Sequence, residues 1–393
     1  MNGTTSPRLL RAARVVTGEQ VLSPGWLLVE GEQVSAAGEG EPAVAAQAAA
    51  GVVDLGEAVL APGLVDIHGH GGGGHSLATE DPAEAARAVD FHRARGTTTS
   101  VASLLSAAPE VLRRQLAALA ELADEGTIAG IHLEGPWISS RRCGAHDPAV
   151  LREPDPAEVA ALLQAARGHL RMVTLAPELP GATEAVRQLT GAGVTVAVGH
   201  TDADFATTRT AIEAGARVAT HLFNGMPGLH HRAPGPVLAL LQDPGVTVEL
   251  IADGVHVHPA MVRHVLALTG PGRLALVTDA MAAAGMPDGD YTLGELPVEV
   301  RAGQARLRNG SLAGSTVTSD ALYAAALAAA EGEEPDRLLA ATLVTATTPA
   351  RTLGLPAGTL QPGAPADLVV LQDQQVTSVM HRGRWVQAAP AGG

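Results

Sequence analysis

The chain contains no lysine; all 26 of its Lys/Arg positions are arginine. Nucleotide bias in an Ala-, Gly- and Pro-rich sequence accounts for the absence, but it still has chemical force. It excludes a Schiff-base lysine, a Walker-type phosphate lysine and a carbamylated lysine bridging two metal ions. Cysteine occurs once, at Cys143 in RRCGAH, so neither a disulfide framework nor a Cys-rich zinc site can be built. Positive charge is scarce: the formal net charge is -15. That argues against nucleic-acid or anionic-membrane binding, both of which need a basic face. An anionic small substrate would require a local cluster of positive charge. No apolar run approaches a membrane span, and MNGTTSPRLLRAARVV lacks the apolar core of a signal peptide. The expected location is the cytoplasm. G-x-S-x-G and H-E-x-x-H are also missing, which removes support for serine-hydrolase and zincin chemistry.

What remains is a chain of 393 residues, 46% hydrophobic and 17% charged, long enough for a large core and a second, smaller domain. From about residue 8 to 58 it reads as short strands broken by turns: RAARVVTGE, GWLLVEGEQVSAAG and GVVDLG. EGEPAVAAQAAAG between them reads as an exposed connection. The C-terminal segments LQPGAPADLVVLQ and QVTSVMHRGRWVQ have the same character. The middle alternates apolar β-type runs with Ala/Leu/Arg segments of helical period, such as PEVLRRQLAALAELADEG. The runs are VLAPGLVD, TTTSVASL, IAGIHL, LRMVTLA, VTVAVG, ARVAT, VTVELIA and LALVT. Eight strands alternating with helices predict an α/β fold, a TIM-like (β/α)8 barrel, with a doubly wound open sheet as the alternative. Polar residues follow the first, third, fifth, sixth and eighth runs. A barrel brings those ends to one mouth, whereas an open sheet spreads them along an edge. The predicted layout is a barrel over 59–347, with 1–58 and 348–393 forming one small β-sandwich, since neither end alone has enough strands for a core.

His68 and His70, two apart in an extended segment, face the same side and can reach one ion. Glu134, in HLEGPW, can anchor one ion or bridge two, and with no lysine available it is the natural bridging candidate. His200 in VGHTDAD and His221 in ATHLFNGMP follow consecutive strands and can complete a metal site. Asp279, in LVTDAM, can take a proton from water beside a metal and return it to a leaving group. Arg232 in HHRAPG and His256 in IADGVHVH fall in loops at the same mouth, where an arginine can fork two hydrogen bonds onto a phosphate. GHGGGG formally matches a dinucleotide fingerprint, but no helix pattern opens within it. Its glycines suit a loop that lets backbone approach a ligand. His132 is expected to point into the barrel core, and His92, His169, His264 and His381 read as structural.

PGLVDIHGHGG, HLEGPW, GAHDP, LAPE, GHTDA, THLFNGMP, HRAPG, IADGVHVH, LVTDAM and LAGS, in that order, resemble the N-acetylglucosamine-6-phosphate deacetylases of the amidohydrolase superfamily. The resemblance implies a barrel with a composite β-sandwich, a homodimer, and hydrolysis of the N-acetyl group of an amino-sugar 6-phosphate. It implies metal ligation by Glu134, His200 and His221, with His68 and His70 offering a second ion site. Asp279 matches the acid/base aspartate, and His146 the histidine that polarises the acetyl carbonyl. Asn224, Gly225, Ala145, Arg232 and His256 match substrate-binding positions, some of which reach the phosphate across the dimer interface. His and carboxylate ligands suit zinc first, and also iron, manganese or cobalt. Two other readings stand beside this one: another amidohydrolase acting on N-acyl substrates, the galacto-configured 6-phosphate included, and a metal-binding protein without catalysis.

Overall fold

A computed structural model describes residues 7–42 and 51–386. Most of the predicted connection EGEPAVAAQAAAG, residues 43–50, lies outside the described residues.

The eight apolar runs form one eight-stranded parallel sheet. Its strands are Leu64–Gly69, Thr97–Leu104, Gly130–Glu134, Leu170–Leu175, Thr195–Val198, Val218–Ala219, Thr247–Leu250 and Leu274–Leu276, each paired with its neighbour in chain order. The eighth is tied back to the first just beyond its end. The Asp279 N–H donates to the His68 carbonyl at 2.8 Å, and the His70 N–H to the Ala280 carbonyl at 2.7 Å. This near-closed barrel is why polar groups far apart in sequence arrive at one mouth.

Helices follow the strands, and their caps are local. Pro109–Asp124 starts on a proline at its first turn and buries Leu112, Leu116, Leu119 and Leu122, a stripe of helical period. Asp155 caps Pro156–Ala165 by accepting from the Ala157 and Glu158 N–H groups. Asp204 caps Phe205–Ala214 and so holds the turn between His200 and that helix short.

By contacts the chain divides into two compact units. One takes in the described residues up to Asp66, with His92–Thr99 and the described residues from Ser319 onward; the other takes in Ile67–Phe91 and Ser100–Thr318. The first unit holds two sheets. One has the order Gln33–Glu39, Gly25–Glu30, Arg8–Ala12, Gly51–Asp54. The other runs Arg384–Trp385, Gln375–His381, Leu368–Gln372, Val59–Pro62, Arg14–Val16, Val21–Leu22. Strands from both chain ends therefore share one sheet, and Leu10, Val15, Leu27, Leu60, Leu368 and Val370 share one core. The run VLAPGLVD is two strands rather than one. Val59–Pro62 joins this small sheet and Leu64–Gly69 the barrel, with Gly63 between them. A Cβ on Gly63 would collide with the Thr98 side chain, so only glycine lets the chain change sheets here.

The second unit contains an element that the alternating pattern does not announce. Gly289–Leu293, Leu296–Arg301 and Gln304–Leu307 form a three-stranded antiparallel sheet after the last barrel strand. Leu293, Val298, Val300 and Ala305 pack with Met281, Leu105 and Ala145 in its core. Among the described residues no helix is long and apolar enough to cross a membrane.

Candidate metal centre and its cavity

The site is built around one carboxylate. Glu134 is the last residue of the third barrel strand and is buried. Its two oxygens divide the histidines into sets. Oε1 lies 3.1 Å from His200 Nε2 and 3.1 Å from His221 Nε2. Oε2 lies 3.2 Å from His70 Nε2, 3.6 Å from His68 Nε2 and 3.3 Å from His146 Nε2. Asp279 Oδ1 closes the second set, 3.2 Å from His70 Nε2 and 3.7 Å from His68 Nε2. His200, His221 and Asp279 all stand at positive φ, between 25° and 46°, in the turns that leave their strands. Such backbone costs energy for any residue but glycine, and it concentrates at functional sites.

The polar partner of each ring sorts the histidines chemically. His200 Nδ1 lies 2.7 Å from the Arg142 carbonyl. A carbonyl only accepts, so the proton sits on Nδ1 and the Nε2 lone pair faces Glu134. His146 is the opposite case. The Ser106 backbone N–H donates to its Nδ1 at 3.2 Å, and Ser106 Oγ lies 2.8 Å away. Nδ1 is therefore an acceptor, and Nε2 carries the N–H that points at Glu134 and the cavity. Burial pushes the His146 imidazole below its ordinary pKa, so it stays a neutral donor. His132 lies inside the barrel, as its place in the third strand predicts. Ser103 Oγ at 2.9 Å and Thr174 Oγ1 at 2.8 Å tie down both of its nitrogens, and burial holds its pKa far down.

Carboxylates and imidazoles shift one another within the cluster. Burial alone would raise the Glu134 carboxyl, but the histidines clustered around it, His68 and His146 foremost, override burial and hold it well below the usual range. Burial would likewise raise Asp279, yet His70 and His68 hold it down. The converse holds for His70. Burial would lower it, and the facing carboxylates Asp279 and Glu134 raise it to about 9.

A cavity of about 300 Å³ opens above these groups. His70, Glu134, Ala145, His146, His200, His221, Asn224, Gly225, His256 and Asp279 all line it, and His68 lies fully buried beneath. Gly225 approaches closely: a Cβ there would stand 2.7 Å from His200 Nδ1. His256 is oriented by Asp253, whose Oδ2 is 2.7 Å from its Nδ1 and whose Oδ1 accepts the His256 and Val255 N–H groups. Arg232 stands apart. It is exposed on the loop after Pro227, with Nη1 2.7 Å from His231 Nε2, and does not line the cavity.

Two groups escape a reading of the sequence. Leu293, Ser311, Leu312 and Gly314, from the three-stranded sheet and the segment after it, line the cavity. LAGS marks the segment, but nothing in its pattern says where it folds. Glu249 lies fully buried beneath the cluster, with Oε2 3.2 Å from His68 Nδ1. Its one signal is a lone charge inside the apolar run VTVELIA.

The amidohydrolase family model matches residues 59–386. The chain is similar to the N-acetylglucosamine-6-phosphate deacetylase of Vibrio furnissii, at 38% identity over 324 residues, which covers 81% of this chain and 80% of that one. It is similar to the N-acetylgalactosamine-6-phosphate deacetylase of Escherichia coli O157:H7, at 36% over 370 residues, covering 92% and 94%. Among solved structures it resembles the N-acetyl-D-glucosamine-6-phosphate deacetylase of Mycobacterium smegmatis, an Asp-to-Ala variant in complex with N-acetyl-D-glucosamine-6-phosphate. That likeness has 50% identity and a TM-score of 0.94, covering 97% of this chain and all of the other.

Proposed function

We propose that this chain, which belongs to the amidohydrolase family, hydrolyses the N-acetyl group of N-acetyl-D-glucosamine 6-phosphate to acetate and D-glucosamine 6-phosphate. The observation that carries this reading is the meeting of Glu134, five histidines and Asp279 under one cavity in a chain half identical to a deacetylase bound to that sugar phosphate.

The donor set fits a divalent metal. Both ring nitrogens of His70 are buried without a hydrogen-bond partner, although Nε2 stands 3.2 Å from an oxygen of each carboxylate. A buried imidazole nitrogen 3.2 Å from an oxygen of each of two carboxylates is a donor set that a cation at their centre would draw together. Glu134, His200 and His221 would hold one ion. His68, His70 and Asp279, with the second oxygen of Glu134, would hold another. Zinc suits the set first, with iron, manganese or cobalt also compatible. When bound, such an ion supplies Lewis-acid polarisation and lowers the pKa of water from about 15.7 toward about 7.

The chain's own groups perform the rest. Water adds to the acetyl carbon. The His146 Nε2–H donates to the carbonyl oxygen as negative charge develops on it. Asp279, held as an anion, takes the water's proton and passes it to the sugar nitrogen as the C–N bond breaks. Acetate and the free amine leave. At the far end of the sugar, His256, with Asp253 behind it, faces the phosphate, and Asn224 and Gly225 supply polar contacts. Contacts remote from the reacting bond convert binding energy into orientation. Arg232 does not reach its own cavity, and we read it as reaching the phosphate in the cavity of a second copy. That makes the working enzyme a homodimer. We read the reaction as cytoplasmic: a phosphorylated sugar does not cross a bilayer unaided, so it stays in the compartment where it is formed.

The galacto-configured 6-phosphate stays as a second reading, because the relative named for it covers 92% of this chain at an identity close to that of the gluco relatives. The test is acetate release from both N-acetylhexosamine 6-phosphates and from unphosphorylated N-acetylglucosamine, with metal-stripped and metal-replete enzyme. The gluco 6-phosphate should be fastest, and only with metal. Faster turnover of the unphosphorylated sugar would overturn the substrate assignment.

A further inference from the structure

Glu249 is a buried carboxylate that the reaction above leaves unused. It sits in the seventh barrel strand, Thr247–Leu250, fully enclosed. A charged side chain in a barrel floor costs several kcal/mol unless something compensates it, and its Oε1 has no hydrogen-bond partner. Its Oε2 makes two contacts. It accepts the His221 backbone N–H at 3.3 Å and stands 3.2 Å from His68 Nδ1. An oxygen already accepting from His221 acts as an acceptor toward His68 as well, so the His68 proton sits on Nδ1. The Nε2 lone pair then points to Glu134 Oε2 and Asp279 Oδ1, 3.6 and 3.7 Å away. The His132 ring packs edge-on against His68, with centroids 4.5 Å apart, but both its nitrogens are engaged by Ser103 and Thr174. It can wedge His68 but cannot set its tautomer.

We infer that Glu249 is a positioning residue for the second ion: one carboxylate oxygen commits His68 to Nε2 ligation and ties it to the backbone of His221, a ligand of the first ion. This rests on the metal-centre reading above and deepens it. A carboxylate behind a ligating histidine fixes the ring and makes it a stronger donor, and losing such a partner typically costs 10–100-fold in metal affinity. The compensation runs the other way too, since a cation held through His68 offsets the buried charge of Glu249.

The test compares full-length wild type with Glu249→Met, which fills the space and cannot accept, and Glu249→Gln, which keeps a carbonyl acceptor. Zinc content after loading is measured by elemental analysis, and affinity by competition with a chromophoric chelator. Wild type should hold two zinc ions. The Met variant should keep one ion at wild-type affinity and bind the other roughly 10–100-fold more weakly. The Gln variant should hold two, with a smaller loss confined to the same ion. A merely structural role would not split the two ions, nor let Gln rescue one of them. A folded Met variant that keeps both ions at wild-type affinity overturns the proposal, as does one that loses both together. If the Met variant does not fold, a folded Gln variant that loses both ions together overturns it alone. Wild type holding a single ion also overturns it and leaves the deacetylase reading standing, whereas wild type holding none removes the metal centre itself.

Discussion

Replacing His146 by alanine separates two roles that bare distances would allow. His146 Nε2 lies 3.3 Å from Glu134 Oε2, so by proximity it could be a metal ligand with Glu134 and His200. The Ser106 N–H on Nδ1 decides otherwise, because it leaves the proton on Nε2 and makes that atom a donor. Removing one donor to a developing oxyanion costs about 10²–10³ in kcat, or roughly 3–4 kcal/mol. Substrate binding before charge develops should change little, so KM should stay within a few-fold. His146 lines an open cavity, and water can occupy the space it leaves, so folding should survive. The expected outcome for His146→Ala is a folded enzyme with full metal content, near-normal KM and kcat down by that factor. Steady-state acetate release and elemental analysis on one preparation check it. Loss of an ion in the variant, with kcat falling in proportion, would show that Nε2 ligates through a lone pair and would refute the tautomer reasoning.

Asp279→Asn should leave a folded protein that binds the sugar phosphate but turns over about 10²–10⁴ more slowly, the usual worth of general acid–base catalysis. Near-normal single-turnover rates would move the proton-transfer role elsewhere. Arg232→Ala should lower kcat/KM for the 6-phosphate by roughly 2–5 kcal/mol, as for truncating one partner of a buried charge pair, and hardly touch the unphosphorylated sugar. Because Arg232 is exposed in its own chain, mixing this variant with an Asp279→Asn chain should restore activity in heterodimers. No complementation would refute the shared site. Tyr323 provides a test of pH and stability: burial raises its hydroxyl from 10.0 to about 12. A raised folded-state pKa gives stability that is complete below 10 and lost as pH climbs through about 12, worth ~3 kcal/mol in all. Denaturant unfolding of Tyr323→Phe should show a shallower decline over that window than wild type, and equal slopes would sink the assignment.

Much of the site is legible because it is local. A residue at or just past the end of a barrel strand faces the mouth whatever the rest of the barrel does. That places Glu134, His200, His221 and Asp279 together once eight strands are recognised. The i, i+2 spacing of His68 and His70 puts both rings on one side of an extended segment. Gly63 is less legible. VLAPGLVD reads as one strand, and only the collision a side chain would make with Thr98 shows why the chain changes sheets there. The three-stranded sheet after Leu276 is short, polar on one face and outside the strand–helix rhythm, so the share of the cavity wall taken by Leu293 and by Ser311 just beyond the sheet has no signature in the pattern.

The linear sequence by itself determined the alternation of strands and helices, the strand-end histidines and carboxylates, and the exclusion of lysine and cysteine chemistry. These depend on residue type and on periods of two and 3.6, which act over a few residues. Only the tertiary structure decided which nitrogen of His146, His200 and His68 carries its proton. Those partners come from distant segments: Ser106 for His146, Arg142 for His200 and Glu249 for His68. It also decided that Arg232 does not line the cavity of its own chain. A hydrogen bond depends on distance and angle between groups, and closure of the barrel sets both.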